Sequence, residues 1–153
     1  MSELLRIEFG ANGRKLDGWL CTDIDEADIR QPLKFGDASA SQLYASHVVE
    51  HVTSGESMRF FKECFRVLVP GGTLRIVVPE IARYMGREHI QDLCEGHGHF
   101  QTFCFDNLQA MLFGAGFDLE KIKETGRKEI DVHYKTIGDA KDLVESLHVE
   151  AIK

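Results

Sequence analysis

The sequence predicts an α/β fold built on a mostly parallel sheet with helices packed against both faces. Three observations lead there. Short apolar segments that stop at glycine, acid or proline alternate with segments of helical periodicity. One of them, "QLYASHVV" (Gln42–Val49), is apolar at nearly every position, as a strand covered on both sides must be. Directly after it, Thr53-Ser54-Gly55-Glu56 has the T-x-x-E form of a capping box, which starts a helix by exchanging hydrogen bonds between the Thr and Glu side chains and free backbone N–H groups.

The elements follow in order. "LLRIEF" (Leu4–Phe9) is a short apolar-rich strand stopped by Gly10, and "WLCTDID" from Trp19 is a second strand ending in acid. The third is the Gln42 segment. The helix begun at Thr53 carries Met58, Phe61, Cys64, Phe65 and Leu68 at three- and four-residue spacing, with Arg59, Lys62, Glu63 and Arg66 on the wet side. Pro70-Gly71-Gly72 ends it. "TLRIVVP" is the next strand, "EIARYMGREHIQDL" a helix interrupted near Gly86, and Phe105 to about Gly114 another helix. "DLEKIKE" and "SLHVEAIK" close the chain as strands. No repeat, low-complexity tract or linker divides residues 1–153, so a single domain is expected.

Composition narrows the function. At 153 residues the chain can bury roughly 70% of the surface its unfolded form exposes. No apolar run approaches the roughly 20 residues that span a bilayer, and "MSELLRIEF" lacks the basic and apolar regions of a signal peptide. A cytoplasmic protein with no membrane partner is expected. A net charge of −7 with no Lys/Arg cluster argues against a nucleic-acid partner. Cys21, Cys64, Cys94 and Cys104 are far apart with no C-x-x-C pair, and read as reduced, buried thiols.

One motif carries metal chemistry on its face. His47, Glu50 and His51 spell H-x-x-E-H, the inverted zinc-peptidase signature. A strand ending at His47, with His51 in the loop before Thr53, does not put the two histidines one helical turn apart on a common face. No metal is therefore expected, although Cys94, His97 or His99 of "CEGHGHF" could supply a further ligand. His47 then reads either as a satisfied strand-end histidine or as part of a ligand site.

Taken together, "LLRIEFGANG", "GWLCTDID", "YASHVVEHV", "FRVLVPGGTLRIVVP", "HFQTFCFDNLQAMLFGAGF" and "SLHVEAIK" resemble the small class I S-adenosylmethionine-dependent methyltransferases of the type 11 branch, over nearly the whole chain. The most specific stretch runs from Tyr44 to Pro79. The resemblance implies a Rossmann-like three-layer sandwich, here abbreviated, with an antiparallel C-terminal strand. It implies S-adenosylmethionine as cofactor and a small-molecule or biosynthetic acceptor. Glu8 would close the first strand, Gly10, Ala11, Asn12 and Gly13 would cradle the amino-acid part of the cofactor, and Asp23, followed by Ile24, would take the ribose. Asp28 and Ile29 would meet the adenine, and His47 would stand beside the sulfonium. His99 matches a family histidine preceding "F-x-F". Arg83 and Tyr84 would line the acceptor side, with an exposed helix face as the plainer reading.

Physical chemistry supports the pairing of Gly10 with Asp23, since glycine after a strand lets backbone approach a ligand and an acid ending the neighbouring strand can hold ribose hydroxyls. The spacing is short. Gly10 to Asp23 is 13 residues where about 20 is usual, and nine residues separate Phe9 from Trp19. The first crossover helix must be a single turn or absent, and Asp25 to Gln42 is likewise too short for a full passage. Missing cover should leave apolar surface exposed, so a homodimer or partner domain is expected. Asn12 stands where a second glycine is common in the family; Asn tolerates left-handed backbone better than most residues. A non-catalytic methyltransferase-like binding or assembly module is the alternative to an enzyme, and His47, His99 and Tyr44 are candidate bases or orienting groups without an assigned role.

Overall fold

The computed structural model describes residues 3–84, 98–131 and 146–153. Its strands are β1 (Leu5–Phe9), β2 (Leu20–Thr22), β3 (Ala40–Ser46), β4 (Leu68–Pro79), β5 (Ile122–Glu124) and β6 (Ser146–Ile152). Its helices are α1 (Ser54–Val67), α2 (Ile81–Tyr84) and α3 (Phe105–Ala115). The strands form one sheet in the order β2-β1-β3-β4-β6-β5. The first four run parallel and β6 is antiparallel to both β4 and β5. This is the abbreviated, mostly parallel α/β sheet with an antiparallel C-terminal strand.

The two short spacings have the expected outcome. No helix joins β1 to β2, and the chain between β2 and β3 crosses as turns. The remainder of the "EIARYMGREHIQDL" segment beyond Tyr84 lies outside the described residues, as do Cys94, His97 and the side chains of Arg83 and Tyr84.

Alternation decides which face is greasy. Ile7 and Phe9 of β1, Leu43 and Ala45 of β3, Leu74, Ile76 and Val78 of β4, and Leu147, Val149 and Ala151 of β6 all join one apolar cluster with α1 and α3. Helix α1 starts at the capping box: Thr53 Oγ1 accepts Glu56 N–H at 3.3 Å, and Glu56 Oε2 accepts Thr53 N–H at 2.8 Å. Its inward face is turned from the one the spacing suggests. Phe60, Phe61, Cys64 and Val67 are buried, whereas Met58 and Phe65 are only partly covered and pack at the edge of the core. The helix also ends earlier than Pro70: Leu68 is already the first residue of β4, and the register between β3 and β4 shifts to absorb the residues up to Gly72.

The opposite face of the sheet holds buried Glu8, Tyr44 and Arg75. Among the described residues it carries a polar layer. Arg75, at the centre of β4, pairs with Asp131 through Nε at 3.1 Å and through a second, shorter contact at Nη2. Tyr44 Oη donates to Asp131 Oδ1 at 3.0 Å, Lys128 N–H donates to Asp131 Oδ2 at 2.7 Å, and Arg75 also donates to Thr125 Oγ1 at 2.8 Å. Asp131 and Arg75 are both buried. Segment 125–131 is thus pinned across the sheet by one guanidinium and one carboxylate, each satisfying the other in low dielectric.

Candidate functional site

Strand order reverses between β1 and β3, because β1 leads to β2 on one side while β3 lies on the other. In an open α/β sheet the crevice outside the carboxyl ends at such a reversal is where ligands bind. Three loops meet there: the turn after β1, the end of β2 and the segment after β3.

Gly10, Asn12 and Gly13 all have left-handed backbone, with φ of 65°, 51° and 76°. Asn12 therefore does adopt the conformation for which glycine is usual. A Cβ on Gly10 would fall 2.4 Å from Val48 Cγ2, so the glycine is what allows the turn after β1 to touch the segment after β3. Ala11 is buried, its N–H donating to the Thr22 carbonyl at 3.0 Å. The turn bends so that the N–H groups of Asn12 and Gly13 donate to Asp23 Oδ1 and Oδ2 at 2.6 and 2.9 Å. Gly10–Gly13 and Asp23 are therefore one unit, joined through a carboxylate that straddles two backbone donors. A carboxylate has about four acceptor positions, so two remain for hydroxyl groups of a ligand.

The other expected residues divide by environment. Ile24, beside Asp23, is 61% exposed and offers an apolar face at the rim. Ile29 is buried in the core, so the apolar contact available next to Asp23 is Ile24. Asp28 is engaged by Arg30, with Nε and Nη2 at 2.9 and 2.8 Å from its two oxygens. The Arg30 guanidinium holds the Asp28 carboxyl below its usual range. Glu8 is 2% exposed and ion-paired to Arg14 Nη1 at 3.1 Å, on the polar face of the sheet rather than at the rim. Its partner Arg14 also donates to the Ile130 carbonyl at 3.0 Å, tying the turn after β1 to the segment that covers the sheet.

His47 has a left-handed backbone, φ 53°, at the end of β3. Its N–H donates to the Val77 carbonyl at 2.8 Å, its Nε2 lies 3.2 Å from Ser146 Oγ, and its Nδ1 lies 3.3 Å from Glu50 Oε1. A non-glycine residue held at positive φ costs roughly 1–3 kcal/mol and persists where surroundings impose it. Here the cost comes at the rim of the crevice, next to Val48, which touches Gly10.

Reasoning from sequence missed Arg14 and Gln101. The Gln101 amide donates to the Val49 and Val52 carbonyls at 2.8 and 2.9 Å and to Ser57 Oγ at 2.5 Å, clamping the segment before α3 onto the one before α1. No local pattern announces a side chain with three partners some fifty positions away. Of the described cysteines, all free, only Cys64 is buried as expected, and burial pushes its thiol well above the ordinary range, whereas Cys21 and Cys104 are half-buried.

Comparison with known proteins agrees with this geometry. Residues 6–76 match the methyltransferase domain family, a span that contains the turn after β1, Asp23 and His47. The whole chain superposes on 84% of a SAM-dependent methyltransferase from Thermotoga maritima with a TM-score of 0.66 at 16% identity. It covers 97% of itself and 81% of a chain from the Haloferax volcanii complex between the Trm112 methyltransferase activator and a methyltransferase, with a TM-score of 0.64 at 12% identity. Haemonchus contortus phosphoethanolamine N-methyltransferase 2, solved with S-adenosyl-L-methionine, gives 0.63 at 10% identity over 100% of this chain and 49% of that one. No curated protein matches in sequence. Among the described residues no helix is long and apolar enough to cross a membrane.

Proposed function

We propose that this chain, whose residues 6–76 match the methyltransferase domain family and whose sheet is similar to the class I methyltransferase fold, transfers a methyl group from S-adenosylmethionine to a small acceptor in the cytoplasm. The observation that carries the reading is the joint between Asp23 and the Asn12 and Gly13 N–H groups at the strand-order reversal. Asp23 would hold the ribose with its two remaining acceptor positions, Ile24 would cover the base, and Gly10–Gly13 would receive the amino-acid end.

When bound, the sulfonium supplies an already activated methyl group. The chain's part is then mostly alignment, worth roughly 7–11 kcal/mol of barrier when the reacting atoms are held in line. The left-handed turn gives backbone close approach, and His47 orients the acceptor side through its contacts to Ser146 and Glu50. A base is required only for an acceptor that must lose a proton.

Titration calorimetry with S-adenosylhomocysteine tests the cofactor site, and transfer of labelled methyl to a metabolite panel tests the activity. Binding with turnover supports the enzyme. Binding without turnover on any acceptor leaves a cofactor-binding module. No binding at millimolar ligand removes both.

A second copy of the chain is the partner that fits the abbreviated first half. β2 is a three-residue edge strand, and Leu5 and Leu20, on the same sheet face as Ile7, are 36% and 44% exposed where a crossover helix is missing. Sedimentation at tens of micromolar should give a dimer that Leu20→Glu dissociates; a wild-type monomer would exclude it.

A further inference from the structure

The segment after β3 holds a second cluster of chemistry. Val49–His51 form one 3-10 turn, and Glu50 lies within it, 1% exposed, with no hydrogen-bond partner for either carboxylate oxygen among the described residues. A buried carboxylate without donors is costly, by several kcal/mol even after relaxation, unless a cation compensates it. His47 Nδ1 is at ion-pair distance, 3.3 Å, but outside hydrogen-bonding geometry.

Two more donors converge on the same point. His51 Nε2 lies 4.0 Å from Glu50 Oε1. His99 comes from a distant part of the chain, its ring 4.8 Å centroid to centroid from that of His51. One ligand atom each from Glu50, His51 and His99 lie within 4.8 Å of one another. In a tetrahedral site with bonds of 2.0–2.2 Å, ligand atoms stand about 3.3–3.6 Å apart. Rotating the two histidine side chains inward by about an ångström closes the difference.

The surroundings support ligation. His51 Nδ1 contacts the Gly98 carbonyl at 3.3 Å, which puts the ring proton on Nδ1 and leaves the Nε2 lone pair facing Glu50. Phe100 N–H donates to the Glu50 carbonyl at 2.8 Å, and Gln101 clamps the adjacent backbone, so His99 is delivered by a stitched segment. We propose that Glu50, His51 and His99 bind one divalent transition-metal ion of the zinc class. Two imidazoles and one carboxylate make a donor set that suits Zn²⁺, with a fourth position left open on the exposed side of His51. His47, first residue of the H-x-x-E-H pattern, is outside the set: the motif reads as a ligand pair, Glu50 and His51, completed by His99.

The untagged, chelator-stripped full-length chain should be titrated with Zn²⁺ by calorimetry and with Co²⁺ by visible absorption. We expect one ion per chain and tetrahedral Co²⁺ bands. His51→Ala and His99→Ala, at partly exposed positions that keep the fold by circular dichroism, should each lower Zn²⁺ affinity at least tenfold. Glu50→Gln should do the same, and His47→Gln should stay within about threefold of wild type. Substoichiometric binding at tens of micromolar Zn²⁺, or His99→Ala binding as tightly as wild type, overturns the assignment. Methyl transfer enters none of these readouts.

Discussion

Asp23 accepts the N–H of Asn12 at 2.6 Å and that of Gly13 at 2.9 Å, so the carboxylate expected to hold a ribose is also what shapes the turn expected to cradle the rest of the ligand. The two halves of the candidate site are thereby coupled. Hydrogen bonds to a charged group contribute about 1.5–3 kcal/mol each, which makes Asp23 a folding contact as well as the proposed ligand contact. Asp23→Ala should lower S-adenosylhomocysteine affinity at least tenfold and also lower the melting temperature. Asp23→Asn, which can still accept one N–H, should recover part of the stability and little of the affinity. Calorimetry and thermal melts on the same samples separate the two effects, and unchanged affinity in both variants would refute the site.

Gly10 and Gly13 should respond differently to the same change. Both have positive φ, but a Cβ on Gly13 meets no atom within 4 Å, whereas one on Gly10 meets Val48 Cγ2 at 2.4 Å. Gly13→Ala should cost about 1 kcal/mol, from backbone conformation alone. Gly10→Ala should cost about 2–3 kcal/mol more, and Val48→Ala in the same chain should return part of it. Urea unfolding measures all three.

The polar face of the sheet predicts acid sensitivity. Burial pushes the Asp131 carboxyl up, but hydrogen bonds from Arg75, Lys128 N–H and Tyr44 outweigh it and hold the group below its usual range. A depressed folded-state pKa contributes stability that is complete above the unfolded value of about 3.9 and is lost as pH falls through the lower folded value. Asp131→Ala leaves Arg75 buried without its partner and should cost about 3–5 kcal/mol at pH 7. Its deficit relative to wild type should shrink as pH drops below about 4. A deficit constant down to pH 2 in chemical denaturation would mean the charge of Asp131 is not what stabilises the layer.

Helix α1 should depend on its first residue. Thr53→Ala removes the acceptor for Glu56 N–H and should cost about 1 kcal/mol. Thr53→Ser should restore most of it, which equilibrium unfolding of the three proteins can resolve.

How much of this was legible beforehand follows from the range of each interaction. The capping box, the glycine after β1 and the acid after β2 are local, so the T-x-x-E spacing marked Thr53, and the ends of two short apolar runs together with the family resemblance marked Gly10 and Asp23. The missing crossover helices were equally plain, because nine residues cannot hold a strand connection and a helix. Arg75 and Glu8 carried a weaker signal: a charge inside an apolar strand must find a partner, but nothing nearby says which.

The chain's order of short apolar runs and turn residues by itself determined a mostly parallel α/β sheet and the position of its candidate crevice, since periodicity and reach are properties of neighbouring residues. Tertiary structure alone decided the rest: that the Asp23 carboxylate takes the Asn12 and Gly13 N–H groups, that Asp131 seals Arg75 from 56 positions away, and that His99 comes to face Glu50. Those choices are made by desolvation. A buried charge takes whatever compensating group the folded backbone brings within about 4 Å, and sequence distance does not enter that energy.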